Sequence, residues 1–373
     1  MRIALVAPLA ESVPPKTYGG TERVVSYLTE ELVRLGHRVT LFASGDSQTE
    51  AELVEGAPGA LRLDDSVEDP LVWHMLMLER LYERVEEFDI IHAHLHYLPY
   101  SIMRRLGKPM VTTVHGRMDF DEYRPLYEEF SEMPLVSISY SQRRPLPMAN
   151  WVGTVYHGLP LDAYRLETGG DYLAFLGRIS PEKGVESAIE VAQRTGMPLK
   201  IAAKVGRRDR AYFEQRIRPR VDGRHVEFVG EIDEEQKRSF LGEAAALLFL
   251  VDWPEPFGLA MVEAMACGTP VIARRRGSIP EVVDHGISGF VCEDVDEAVE
   301  AIERLDVLDP QSVREAFERR YSARRMARDY AALYREVMLD YQASALSRLG
   351  PSFPGPDRPG DVSPRGSSPH GRR

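Results

Sequence analysis

Short apolar runs alternate with helix-period segments along this chain of 373 residues, and that alternation restricts the fold more than any other feature. RIALVAP opens the series. A long loop to Gly19 and Gly20 follows, then a stripe of Val24, Val25, Leu28, Leu32 and Leu35 that closes at Gly36. VTLFA, the helical segment LVWHMLMLERLYERVEEF, DIIHAH, PMVTTVH, PLVSIS and GTVYHG complete the first set. Apolar strands separated by helices imply parallel βαβ units, and hence a doubly wound α/β sheet.

The pattern then restarts. DYLAFLG, LKIAAKV, HVEFVG, AALLFLV, TPVIAR and GFVCE are strands with helix-period segments between them, so a second sheet of similar size follows the first. The joint falls between His157 and Thr168, and helical stretches follow the second sheet at 294–305, 310–320 and 322–345. The reading is α/β: a Rossmann-like domain at 1–158, a second at 159–322, a last helix at 323–348, and a Pro/Gly/Ser-rich tail at 349–373 that reads as disordered. Ligands of such sheets bind at the carboxyl ends of the strands, so two facing domains place the site in the cleft between them.

Composition narrows the function. The net charge of −12, from 46 basic and 58 acidic residues, argues against a general nucleic-acid binder. Cys267 and Cys292 are the two cysteines, so no disulfide framework is written here, and a reducing cytoplasm is expected. No apolar run reaches transmembrane length, and MRIALVAPLAES reads as a first buried strand rather than a signal peptide. Arg104, Arg105 and Lys108 raise a weak peripheral contact with the inner face of a membrane, against the plainer reading of a solvated face.

Three motifs bear chemistry. WPEPFGLAMVEAMACGTPVIA predicts a helix over 257–267 with Leu259, Val262 and Ala266 on its apolar face and Glu263 in the middle of that face. A carboxylate there needs a partner. Glu255 stands just before the helix, where unsatisfied backbone N–H groups form an anion site and Gly258 allows close approach. Phosphate on N–H groups and hydroxyls on two glutamates describe a sugar nucleotide. In GRISPEKG, Ser180 reads as an N-cap and Pro181 as the first helical residue. Lys183 then falls in the first turn, against the helix dipole, and with Arg178 it suits a diphosphate. In YGGTERVV, Gly19 and Gly20 precede Thr21, an expected N-cap. The spacing is not the three-glycine dinucleotide fingerprint, which disfavours a dehydrogenase. His92, His94 and His96 alternate along one expected strand, a metal-compatible spacing that reads more plainly as hydrogen-bonded strand-end histidines. His115, before Gly116, faces the expected cleft.

Together the Glu255-x7-Glu263 spacing, GRISPEKG and YGGTERVV resemble glycosyltransferase family 4, of the GT-B fold, from Met1 to about Tyr341. The resemblance implies a retaining transferase that moves a sugar from a UDP- or GDP-sugar to an acceptor bound on the first domain. That acceptor is a saccharide, a lipid or a small metabolite. Arg178 and Lys183 would hold the diphosphate, Glu263 the ribose and Glu255 the donor sugar. Backbone N–H groups of Phe257, Gly258 and Leu259 would bind sugar and phosphate, Gly19 and Gly20 would close over the diphosphate, and His115 would stand beside the sugar. No permanently bound cofactor and no metal are implied, two cations taking the metal's place. Lys204 and Val205 stand where many relatives have a glycine-rich turn, which leaves the base open. A sugar phosphorylase or nucleotide-sugar epimerase on the same plan is the competing enzymatic reading, and a non-catalytic sugar-nucleotide binder is the one from a different class.

Overall fold

The computed structural model describes residues 1–349 apart from 17 and 168, with side chains to residue 343. The tail expected to be disordered therefore lies, beyond its first residue, outside the described residues. Seven strands form the first sheet: β1 Arg2–Val6, β2 Arg38–Ser44, β3 Glu52–Ala57, β4 Ile90–Ala93, β5 Met110–Thr113, β6 Leu135–Ser137 and β7 Trp151–Thr154, in the order 3-2-1-4-5-6-7. Six form the second: β8 Tyr172–Ile179, β9 Leu199–Val205, β10 Val226–Gly230, β11 Ala244–Phe249, β12 Val271–Arg274 and β13 Gly289–Cys292, in the order 10-9-8-11-12-13. All the pairings are parallel. Strand order reverses beside β1 in one sheet and beside β8 in the other, and the crevices at those two points are where ligands of doubly wound sheets lie.

Each sheet is buried by helices on both faces. Val24, Val25, Leu28 and Leu32 of the helix Gly20–Arg34 join Ile3, Leu5 and Leu41 in one core layer. The same layer contains Met326, Tyr330, Tyr334 and Val337 of the final helix, Ala323–Leu349, which returns to the first sheet after the second is complete. The chain crosses between the sheets twice, and the crossings lie side by side. Leu159 N donates to Tyr321 O and Ala323 N to Leu159 O, each at 2.8 Å. A Cβ on Gly158 would stand 2.3 Å from Ser322 O, so only glycine permits this approach. Among the described residues no helix is long and apolar enough to cross a membrane.

Several local expectations are corrected. Gly19, not Thr21, is the N-cap of Gly20–Arg34, and no side chain caps it. The tight fit is steric, since a Cβ on Gly19 would meet Pro15 Cβ at 2.7 Å. The helix expected over 257–267 runs only Leu259–Ala266, because Gly258 takes a left-handed φ of 82° and Phe257 stays outside it. Pro181–Lys183 is a separate 3-10 turn, and Gly184, at φ 75°, starts the helix Val185–Thr195. Lys183 therefore precedes the α-helix, and Ser180 does not cap through its side chain. β4 ends at Ala93, so His92, His94 and His96 do not share a strand face. The segment ELVEGA was missed as a strand: it is β3, a partly exposed edge with two glutamates and a glycine.

Candidate active site

The two reversal points face one cleft. Tyr18, Gly19, Gly20 and Arg23 line it from the first domain, after β1. Arg178 at the end of β8 and Lys183 after it, and Glu255, Gly258, Leu259 and Glu263 after β11, line it from the second. Two carboxylates and the cations that neutralise them dominate its chemistry.

Glu255 lies between Pro254 and Pro256, which stiffen its backbone, and its side chain is 10% exposed. Lys183 Nζ approaches its Oε2 at 2.8 Å and Trp253 Nε1 donates to the same oxygen at 3.0 Å. Gly277 is packed so closely under it that a Cβ there would lie 2.4 Å from Glu255 N. Both hydrogen bonds to this carboxylate fall on Oε2.

Glu263 shows the same design in the helix that follows. It is 4% exposed, and Lys237 Nζ approaches its Oε1 at 2.5 Å while the Tyr164 hydroxyl, which donates to Glu234 Oε1 at 2.7 Å, lies 3.3 Å from that oxygen. Lys237 also pairs with Glu234 at 2.8 Å, and Arg23 of the first domain reaches Glu234 at 2.8 Å. Burial pushes the Glu234 carboxyl up, but Lys237 and Arg23 outweigh it and hold the group below its usual range. One chain of charges thus spans the cleft from the first domain to Glu263.

Arg178 is bonded to Glu182 at 2.8 Å, and its Nε lies 3.8 Å from Asp209 Oδ2, so two carboxylates hold the guanidinium at the cleft.

Behind the cleft lies a ladder of imidazoles. His92 bonds the Tyr334 hydroxyl at 2.6 Å and the Thr113 hydroxyl at 2.7 Å, and Thr113 bonds Tyr330 at 2.8 Å. His94 Nδ1 lies 2.8 Å from His115 Nε2, and His115 stacks on His157 with centroids 5.2 Å apart. His157 meets the Phe257 ring edge-on at 4.8 Å. Burial, then the neighbouring imidazoles, hold His92, His94 and His115 well below their ordinary range; burial and Arg325 push His157 down to about 3. All four are neutral near pH 7. Among the described residues no group of three His, Cys, Asp or Glu side chains is arranged to hold a metal ion.

Two family models match the chain in succession: Glycosyltransferase Family 4 over residues 18–152 and Glycosyl transferases group 1 over 162–321. The chain is a family 4 glycosyltransferase of the GT-B fold. The transferase is 28% identical over 363 residues to a glycogen synthase of Mycobacterium tuberculosis, covering 83% of this chain and 86% of that protein. It superposes on the sucrose-phosphate synthase of Thermosynechococcus elongatus with a TM-score of 0.74 at 20% identity, covering 91% and 100% of the two chains. It also superposes on Anabaena HepE in complex with UDP, with a TM-score of 0.70 at 16% identity over 89% and 99%.

The cleft of this transferase gathers Gly19, Gly20, Arg178, Lys183, Glu255, Gly258, Leu259 and Glu263. His115 and Phe257 stand behind its wall. Phe257 is 2% exposed with its ring in the core, and the His157 ring packs against both residues. Sequence reasoning missed Arg23, Glu234, Lys237, Trp253 and His157. For Lys237 the only signal was a capping box, Asp233 with Gln236, which marks a helix start and says nothing of a partner 26 residues on. The cations 104, 105 and 108 are charge-paired or self-bonded: Arg104 with Glu129 and Glu132, Lys108 with Glu86, and Arg105 on the Ser101 carbonyl.

Proposed function

We propose that the transferase moves a sugar from a UDP- or GDP-sugar to an acceptor, with retention at the anomeric carbon. The observation that carries this reading is the pairing of Glu255 and of Glu263 with a lysine through one oxygen only. Glu255 meets Lys183 through Oε2, and Glu263 meets Lys237 through Oε1. The other oxygen of Glu263 is then assigned to the ribose and that of Glu255 to the donor sugar. Arg178 and Lys183 take the diphosphate, with backbone N–H groups of Gly258 and Leu259 and those of Gly19 and Gly20. Phe257 can contribute only its backbone. His115, neutral and behind the cleft wall, is assigned to supporting that wall beside the sugar through His157 and Phe257.

In the transfer, the bond from the anomeric carbon to the diphosphate oxygen breaks and its electron pair leaves with the diphosphate. Arg178 and Lys183 stabilise that growing charge, preorganised electrostatics that supply orders of magnitude in rate. The acceptor oxygen bonds to the same carbon, and its proton passes to the departing phosphate. That a structural neighbour is found in complex with UDP supports a nucleotide as ligand. With two side-chain cations on the diphosphate, activity is expected to persist in EDTA. The test is release of nucleoside diphosphate from UDP-glucose and GDP-mannose, with and without inorganic phosphate. Release without phosphate, with an unchanged anomeric configuration by NMR, is the expected result. An absolute phosphate requirement would convert the reading to a phosphorylase.

A further inference from the structure

An aromatic cluster on the first domain lies outside the donor reading. Three residues past the end of β4, His96 takes a φ of 52°, the one positive φ outside glycine among the described residues. Such backbone is strained and persists where its surroundings enforce it, commonly at binding sites. The turn brings Tyr97 against the loop after β5. Its ring centroid lies 6.2 Å from that of Tyr123, which Phe120 meets edge-on at 5.4 Å. Tyr123 in turn packs at 6.0 Å on Tyr127, a core residue, so the cluster has a rigid base. Tyr97 is nevertheless 41% exposed and Phe120 44%.

The cluster runs into the cleft. The Arg117 guanidinium is forked onto Asp119 and lies 4.9 Å from the Phe120 centroid and 5.9 Å from that of Trp253. The Trp253 ring also underlies Lys183 Nζ at 4.5 Å. One stacked path therefore leads from the Lys183–Glu255 pair to the exposed rings of the opposite domain.

We propose that Tyr97, Phe120 and Tyr123, with Arg117 and Asp119, form the acceptor subsite, and that the acceptor it takes is a saccharide. This rests on the donor reading above, which requires a second substrate within reach of the sugar's reacting carbon. The C–H face of a sugar ring carries slight positive charge and settles on the negative face of an aromatic ring. Its rim hydroxyls find the Asp119 carboxylate, the Arg117 fork and the phenol oxygens. A lipid chain asks instead for aliphatic side chains, and the cluster has none.

The test uses the full chain saturated with UDP. Saturation-transfer NMR is recorded against methyl α-glucoside, methyl α-mannoside, maltose and sucrose, and sedimentation against phosphatidylglycerol vesicles. Calorimetry measures UDP affinity in parallel. At least one saccharide is expected to bind. Tyr97→Ala and Phe120→Ala, both at exposed positions, should each weaken that saccharide about tenfold while leaving UDP affinity and melting temperature unchanged. Saccharide binding indifferent to both substitutions, no saccharide binding by a UDP-competent wild type, or vesicle binding abolished by them would each overturn the proposal. Failure to bind UDP or GDP at all would instead defeat the donor reading beneath it.

Discussion

At the scale of single residues, Glu263 shows how a buried carboxylate can serve structure and ligand together. Sequence reasoning poses a choice between a core partner and a ribose ligand, and the geometry removes the opposition: Lys237 takes Oε1 of a residue that lines the cleft. Glu263→Gln is therefore expected to act twice. Lys237 keeps Glu234 at 2.8 Å and is not orphaned. The stability loss is thus about 1 kcal/mol rather than the roughly 3–5 of a fully broken buried pair, or about 2–4 °C for a domain of this size. Hydrogen bonds to a charged group contribute about 1.5–3 kcal/mol against about 1 for neutral ones, so nucleotide affinity should fall roughly tenfold. A 2′-deoxy nucleotide should lose less than that. Calorimetry of the folded variant decides it: a lower melting temperature with unchanged affinity per folded molecule would leave Glu263 a core partner alone.

At the scale of elements, what could be read from sequence was what depends on local pattern. Strands buried on both faces announce themselves as apolar runs, so β1, β2, β4 to β6, β8, β9 and β11 to β13 were legible, and the half-exposed edge β10 was legible from its alternation. The polar edge β3 was not. Helix starts shifted wherever sterics between distant segments decided them, as with Gly184, whose Cβ would stand 2.0 Å from Leu250 O. The histidines of HAHLH were visible, but their partners come from β5, the domain crossing and the final helix. That assembly has a pH consequence. The four buried imidazoles titrate far below the ordinary value of about 6.5, so above pH 6.5 neither folded nor unfolded chain binds protons there. Below it the unfolded chain takes protons that the folded one refuses. The stability these groups provide is therefore lost as pH falls below about 6.5, for His157 down to about 3, by up to about 1.4 kcal/mol per pH unit for each. Glu11 and Glu22, raised by burial, work the other way, while His37 and His96, also lowered by burial, add to the fall. Melting temperature is expected to be level between pH 8 and 7 and to fall between 6.5 and 5, with a shallower fall in His157→Phe. A level curve down to pH 5 would contradict the neutral ladder.

At the scale of the whole molecule, the two sheets meet through the paired crossings at one end and through charges across the cleft at the other. The bridge from Arg23 to Glu234 is largely buried, whereas Arg207 to Asp65 is about nine-tenths exposed on both sides and contributes little. The ends of the two central strands thus present a cationic wall, Arg178 and Lys183, opposite Gly19 and Gly20. The central claim is that this wall exists for a diphosphate. The most direct measurement compares UDP with uridine, and GDP with guanosine, by calorimetry on wild type and Arg178→Ala. In wild type the diphosphate of the preferred base should bind at least tenfold more tightly than its nucleoside. In Arg178→Ala that advantage should shrink severalfold, with nucleoside affinity unchanged. Diphosphate and nucleoside losing affinity in equal proportion, or neither losing any, would contradict the assignment.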